Sequence, residues 1–574
     1  MNRRVASHLA AFALYALAAC ALFLPAVHFD LVHYWIGSRS SDPAIFIWSL
    51  QWWPWALTHH INPLYCRYIW APAGQSMLWV TSVPSVALLC WPLTWLFGPV
   101  VVYNLVALSS PALAAFCAYL LCREVTQCFW PALFGGVIFG FSTFEFVHLR
   151  AHMDLFVIFQ LPLAVWLYLL RRRSKMSGRW YITLISALAI FQFGVFVEVL
   201  ASATLFGLAA IGCAWLTSGE PAARASHKRG LKETTLALVI AGVALSPLLI
   251  TMFASGWPRG KIFSSVFFSA EPLNFFIPTR ITLLGGHLFR SLTMQFAGQN
   301  YERAAYFGLS LLLIAVLFIR EFYPKAAARS LILIGAIVTV AALGGQLQAL
   351  RMHLHIMLPW WMFDHLPLLQ KALPVRFLAY AWLVVAVMAA WWAAESTAPR
   401  WAKCGLAAAS LILIFPNLPG KFWSHPLDVP AFYSNGSLKR YISPGENVVV
   451  LPYGYIGYAM LYQSQQHFYF RMAGGYLGMV IPPPFTDDPV PAGFFNGDVS
   501  LVPHWGRKLR RFVVRNKVGA FIKTLPDIWD QPTLLAPLHV KPIVTGGVAL
   551  YLVPRRWLKT SPASRLSLPS AVSR

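Results

Sequence analysis

Residues 153–198 read MDLFVIFQLPLAVWLYLLRRRSKMSGRWYITLISALAIFQFGVFVE. Two apolar runs, 153–171 and 180–198, flank a loop carrying Arg171, Arg172, Arg173, Lys175 and Arg179. Each run is long enough to cross a hydrocarbon core as a helix that satisfies its own backbone hydrogen bonds. Basic loops between spans stay on the cytoplasmic side, so this hairpin turns inside the cell and sets the orientation of everything joined to it.

The rest of the chain repeats the pattern. Two further basic clusters, Arg224, Lys228, Arg229 and Lys232, then Arg320, Lys325 and Arg329, separate apolar runs and are expected inside. Spans are expected near 9–28, 99–121, 130–145, 153–171, 180–198, 199–217, 233–254, 304–320, 329–345, 376–395 and 404–416, about eleven crossings in all. Arg3 and Arg4 ahead of the first run have the charge order of a signal peptide, but no small-residue cleavage site follows, so this run reads as a retained helix with a cytoplasmic N-terminus. Residues 81–98, TSVPSVALLCWPLTWLFG, are apolar enough for another span; crossing would turn every later basic cluster outward, so they read as an interfacial helix. The tryptophans Trp48, Trp52, Trp53 and Trp55 suit the headgroup region of the same outer loop, about 29–98.

The composition agrees. The 574 residues are 58% hydrophobic and 11% charged, with 24 Trp and 41 Phe, a balance that excludes a soluble enzyme. The net charge of +25 would suggest nucleic acid in a soluble protein; here much of the Lys and Arg lies between spans, so no nucleic-acid partner is expected. The eight cysteines form no disulfide or zinc pattern, and Cys66 is the one thiol expected outside.

After Pro416 the apolar runs shorten to strand length. NVVVLPYG (447–454) and VALYLVP (548–554) read as buried strands and KLRRFVVRNKVGAFIKT (508–524) as a helix followed by a strand. The expected architecture is therefore an α-helical polytopic membrane module, 1–416, a small extracytoplasmic α/β domain, 417–558, and a disordered tail, 559–574. The cell compartment is a bacterial-type inner membrane.

Ionisable groups at the outer face are scarce, which makes each a functional candidate. Asp42, in SRSSDPAIFIWSLQWWPWAL (38–57), stands just after the first span, where it could equally be a helix cap. FSTFEFVHLRAHMDLF (141–156) crowds Glu145, His148, Arg150, His152 and Asp154 between two spans. Carboxylate, imidazole and guanidinium together suit group transfer on a phosphate-bearing substrate, with Arg holding phosphate and a carboxylate acting as base or metal ligand. Arg376, at the outer mouth of a span, could meet a lipid phosphate or simply snorkel. Glu271 could bind an acceptor or a metal, or cap a helix; Glu198, in a hairpin tip, could be merely solvated. His353 and His355 have metal-like spacing but no third ligand nearby.

An Asp soon after the first helix, HHINPLY (59–65), PSVALLCWPLTWLFG (84–98) and RAHMD (150–154) leading into a span that ends in Arg resemble the protein O-mannosyltransferase and aminoarabinose-transferase group over residues 1–175. These are C-type, GT-C-fold membrane glycosyltransferases. The resemblance implies a catalytic base or metal ligand at Asp42, assisted by Asp154, with His152, Arg150, Arg376 and Glu271 as substrate-binding candidates. It departs at Ser82 and Val83, where the family has charged residues before its proline stretch. It implies inverting transfer of a sugar from a polyprenyl-phosphate-linked donor to a glycan, lipid or protein acceptor at the outer membrane face, among membrane lipids; a divalent metal, Mg or Mn, could be shared by Asp42 and Asp154. The alternative is a transporter or flippase for a lipid-linked substrate, a class that often shows repeated halves; no internal repeat is visible here.

Overall fold

The computed structural model describes residues 3–256, 263–366, 369–500, 502–526, 532–554 and 556–557; the expected tail, 559–574, lies outside them. The chain divides into two compact units, residues 1–46 with 83–427 and residues 47–82 with 428–574. The boundary expected at Pro416 thus falls eleven residues later, and 47–82, read as part of the membrane module, clusters with the C-terminal residues.

The first unit is helical, with a helix at each of the eleven expected spans. Among the described residues five helices are long and apolar enough to cross a membrane, and seven if each of two bent pairs counts as one span. The bent pairs are Phe129–Gly140 with Thr143–Leu149, at 40°, and Pro221–Ala244 with Ser246–Ala254, at 63°. The other four, Gly178–Phe193, Leu309–Phe322, Ala326–Ala342 and Arg400–Ile414, run 14 to 17 residues. These helices make the chain an integral membrane protein.

Two details differ from the sequence reading. The cluster Arg224, Lys228, Arg229 and Lys232 is not a loop but lies within helix Pro221–Ala244; Pro221 at its first turn starts the helix early, and nothing breaks it before the bend at Leu245. The stretch 91–98 joins the second expected span in one helix, Trp91–Thr126, with a break at Gly98, whose φ is 79°. Leu89, Trp95, Leu96 and Phe97 are exposed ahead of that break, as suits an interfacial stretch.

Helix Trp91–Thr126 is the hub, packed against the N-terminal helix Arg3–Phe23 and against Phe129–Gly140. Small residues permit the second approach: a methyl added at Gly140 would overlap the backbone at Pro111 and Ala115. The Tyr15 hydroxyl, carried in by the first helix, donates to the Leu133 carbonyl at 2.9 Å.

The second unit contains a five-stranded sheet in the order Ile543–Thr545, Val548–Leu552, Val518–Thr524, Asn447–Leu451, Arg471–Met472. Val518–Thr524 runs parallel to Asn447–Leu451 and antiparallel to Val548–Leu552. Helix Trp505–Arg515 buries Trp505, Leu509, Phe512 and Val513 and exposes Arg507, Arg510 and Arg511 on its opposite face. Trp48 and Trp52, expected at a headgroup surface, are fully buried in this unit, where they stack at 5.3 Å and meet the Phe468 ring. Their indole N–H groups are satisfied by Gln463 Oε1 at 2.8 Å and the Pro63 carbonyl at 3.1 Å, which makes burial affordable. Cys66 is likewise buried, and burial pushes its thiol up to about 12.

Gly140→Ala is expected to destabilise the detergent-solubilised protein by about 1–3 kcal/mol through overpacking. Gly242→Ala, on a helix face where an added methyl meets nothing within 4 Å, should instead raise stability by up to about 1 kcal/mol through helix propensity. Thermal unfolding of the two variants checks the contrast.

Candidate active site

In the first unit, the segment that carries Asp42 is held from two sides. Strand Tyr34–Ile36 pairs antiparallel with Ser424–Pro426. Asn104, buried on the hub helix, donates to the carbonyls of Leu31 at 2.9 Å and Tyr34 at 2.7 Å and accepts from Ile36 N at 2.8 Å. The Ser38 amide donates to the Arg150 carbonyl at 2.8 Å. Gly37, at φ 135°, lets the backbone pass so close that a Cβ would come within 2.6 Å of that same carbonyl. Helix Asp42–Thr58 starts immediately afterwards, with Asp42 in its first turn, where a carboxylate complements the helix dipole.

The second loop supplies the imidazoles. Ser142 caps helix Thr143–Leu149 by accepting from Glu145 N. His148 ends this helix, and His152 leads into the turn Met153–Phe156 that carries Asp154. His148 Nδ1 and His152 Nδ1 are 3.1 Å apart, so one ring donates to the other. His152 Nε2 lies 3.6 Å from Asp42 Oδ2, and His148 Nε2 3.8 Å from Glu302 Oε2. The Ser40 hydroxyl donates to Asp42 Oδ2 at 3.3 Å.

Arg376 closes the far end. Its guanidinium donates to Glu198 Oε2 at 2.7 Å and to Glu302 Oε1 at 2.9 Å, and the Leu373 amide donates to Glu198 Oε1 at 3.0 Å. A connected row results, Asp42, His152, His148, Glu302, Arg376, Glu198, and Asp154 lies within electrostatic reach of four of its members. One permanent cation faces four carboxylates, and His152 is the imidazole placed to supply further positive charge. Burial disfavours a charged His152, but the carboxylates of Asp42, Glu302 and Asp154 outweigh it and hold its pKa above the ordinary 6.5.

Exposure separates the carboxylates. The Asp42 side chain is 22% exposed and that of Glu302 4%; Glu198, at 17%, is held by Arg376. Asp154 is buried, and its Oδ1 has no hydrogen-bond partner among the described residues.

The structure thus brings Asp42, His152, Asp154 and Arg376 together and leaves two other candidates aside. Arg376 is bonded to two glutamates, Glu198 and Glu302. The Arg150 side chain turns away from the row: it donates to the Asn300 carbonyl at 3.2 Å and lies over the rings of Tyr301 and Phe422 at 4.7 and 4.8 Å. Burial lowers this guanidinium to about 10, so it remains charged at neutral pH. Glu271 accepts from Leu350 N at 3.1 Å and takes no part in the row; burial raises its pKa. His353 and His355 sit on an exposed strand, Met352–Met357. HHINPLY belongs to the second unit, where His59 and His60 are exposed.

Sequence reasoning passed over Glu302 and Tyr301, in QNYER (299–303). Tyr301 accepts from the Ser38 hydroxyl at 3.0 Å and carries the Arg150 guanidinium on its ring. The available signal was an acidic residue immediately ahead of an apolar helix, the same signal that marked Asp154.

The orphaned Asp154 Oδ1 is the kind of atom a cation would satisfy, but among the described residues no group of three or more His, Cys, Asp or Glu is placed to hold a metal ion. Of the carboxylates that could complete one, Glu198 and the Oε1 of Glu302 face Arg376, and Glu302 Oε2 lies 3.8 Å from His148 without a hydrogen-bond partner among the described residues. The residues present do not fit a shared metal at Asp42 and Asp154.

The fold is that of GT-C membrane glycosyltransferases. The chain is similar to the arabinofuranosyltransferase AftD from Mycobacteria, at 14% identity and a TM-score of 0.56 over 96% of this chain and 40% of that one. It is also similar to the Archaeoglobus fulgidus oligosaccharyltransferase AglB in complex with an inhibitory peptide and a dolichol-phosphate, at 11% identity and a TM-score of 0.52 over 97% and 75% of the two chains. The apo form of the Archaeoglobus fulgidus oligosaccharyltransferase aligns at 12% identity and a TM-score of 0.50, over 90% and 69%. The chain therefore spans less than half the length of the mycobacterial enzyme. No curated protein matches it in sequence. The chain belongs to the family described as domain of unknown function DUF6311, whose model matches residues 12–416.

Arg376→Gln strands Glu198 and Glu302 without their cation and is expected to cost about 3–5 kcal/mol of stability, part of it regained in Arg376→Gln/Glu302→Gln; thermal unfolding of both variants measures it. His152 gives a signed pH dependence. Because its folded pKa is raised, its stabilising contribution is fully present below the ordinary imidazole value and is lost as pH rises through the folded one. The gap in unfolding temperature between wild type and His152→Gln should be widest in acid and close as the medium becomes alkaline.

Proposed function

We propose that the protein transfers a sugar from a polyprenyl-phosphate-linked donor to a hydroxyl acceptor at the outer membrane face, with inversion and with Asp42 as the base. The observation that carries this reading is the combination of exposure and pairing: Asp42 is the most exposed carboxylate of the row, at 22%, whereas Glu302 is buried and Glu198, at 17%, is taken up by Arg376 and the Leu373 amide. The GT-C fold supports the class of reaction and leaves the sugar and acceptor open.

In this reading Asp42 Oδ takes the proton of the acceptor hydroxyl while the acceptor oxygen bonds to the anomeric carbon and the bond to the lipid phosphate breaks. His152 holds the Asp42 carboxylate in place and neutralises part of the row. His148, Glu302, Arg376 and Glu198 fix His152 in turn, so the charges need little reorganisation during the reaction. The donor phosphate requires a cation, and Arg376 is already bonded to two glutamates. Arg39 fits the need: it is exposed, stands three residues before Asp42 and has no partner among the described residues. The GT-C fold favours transfer chemistry over a transporter.

Release of polyprenyl phosphate from a panel of lipid-linked sugars, by purified protein in nanodiscs, tests the reading. Wild type should turn over at least one donor, and Asp42→Asn should lose about 10²–10⁴ of kcat while still folding. Asp42→Asn at full rate, or transport into liposomes without release of lipid phosphate, would contradict the proposal. Arg39→Gln should raise the KM for the donor by about tenfold, the loss of one charge-assisted phosphate contact, and change kcat less.

A further inference from the structure

A cavity of about 1060 Å³ lies inside the first unit, walled by helices Gln160–Arg172, Gly178–Phe193, Val197–Thr217, Pro221–Ala244, Ala326–Ala342 and Leu378–Glu395. Along Val197–Thr217 its wall runs from Leu200 to Thr217, about 26 Å at the helical rise, close to the ~30 Å of a hydrocarbon core. Most of that wall is Leu, Ile, Val and Ala. A largely apolar slot of this length within a membrane bundle fits acyl chains, and its two ends differ in charge.

At the end nearer the carboxylate row the polar lining is neutral: Tyr380, whose hydroxyl bonds Ser202 at 2.8 Å, and Gln160, whose amide donates to Gln192. At the other end four cations, Arg172, Arg173, Lys325 and Arg329, face two carboxylates, Glu220 and Glu395. Lys325 is paired with Glu395 at 2.6 Å, and Arg173 with Glu124 at 2.6 Å. Arg329 donates only to the carbonyls of Pro324 and Thr217, and Arg172, beside Tyr168 and His227, has no hydrogen-bond or ion-pair partner among the described residues. Among the described residues two guanidiniums therefore remain at this mouth without a carboxylate bonded to them, with Glu220 the one unpaired acidic lining residue to oppose them.

We infer that the cavity is a binding site for an anionic phospholipid of the surrounding membrane, its phosphate between Arg172 and Arg329 and its acyl chains along the slot. The charge asymmetry excludes the reverse placement, a lipid phosphate at the carboxylate end, because no uncompensated cation lines that end. The site is separate from the proposed sugar-transfer centre and does not depend on that activity.

Native mass spectrometry of the delipidated full-length protein, titrated with dioleoyl phosphatidylglycerol or dioleoyl phosphatidylcholine, tests the inference. Wild type should retain one phosphatidylglycerol with about tenfold preference over phosphatidylcholine, and Arg172→Gln/Arg329→Gln should lose that preference while Arg172→Lys/Arg329→Lys keeps it. Ala210→Trp, which fills the slot and leaves both arginines, should abolish retention of either lipid. Equal retention of the two lipids by wild type would overturn the inference even if the glutamine variant failed to fold. Retention unaffected by Ala210→Trp would also overturn it, as would a polyprenyl phosphate as the one lipid that competes.

Discussion

A charge placed among membrane helices is tolerable only when another charge meets it, and the ion pairing of Arg376 is the interaction on which the site depends. Its guanidinium takes Glu198 from one helix hairpin and Glu302 from a separate turn, so three segments far apart in sequence must arrive together. Removing water from any of the three groups alone would cost several kcal/mol. The row from Glu302 through His148 and His152 to Asp42 continues the same requirement outward, each group answered by its neighbour, until Asp42 meets solvent. Buried Asn104 and the close passage at Gly37 do for the backbone of this segment what Arg376 does for the side chains.

This arrangement divides the work among carboxylates that look alike in the sequence. Glu198 and Glu302 are spent on the guanidinium; Asp154 is buried beside the imidazoles; Asp42 is half-open. A reactive group at the edge of a rigid, charge-balanced row needs little rearrangement when charge develops on a substrate. The lipid slot obeys the same rule in reverse, since a lipid phosphate belongs where cations are left unanswered, which is the opposite end of the bundle.

How much of this was legible in the sequence depends on the range of the signal. The helix positions were, because a span is a local run of apolar residues, and so were Asp42, His152 and Asp154, as charges interrupting such runs. The role of Arg376 was not. Its partners are 74 and 178 residues away, and no local pattern distinguishes an arginine waiting for phosphate from one already bonded to two glutamates. Trp48 and Trp52 misled for a related reason: indoles at a headgroup interface and indoles stacked in an aromatic core share a composition, and only the partner at Gln463 separates them. The cluster from Arg224 to Lys232 read as a loop because charge was taken to mark turns, whereas a helix can carry charge past the end of its apolar stretch.

The central claim is that Asp42 acts as a base and not as a nucleophile. The measurement that tests it most directly is the anomeric configuration of the sugar in the product, read by NMR coupling constants, alongside intact-protein mass spectrometry during turnover. The account predicts inversion relative to the lipid-linked donor and no mass increment on the protein. Retention of configuration, or a glycosyl adduct on Asp42, would contradict it.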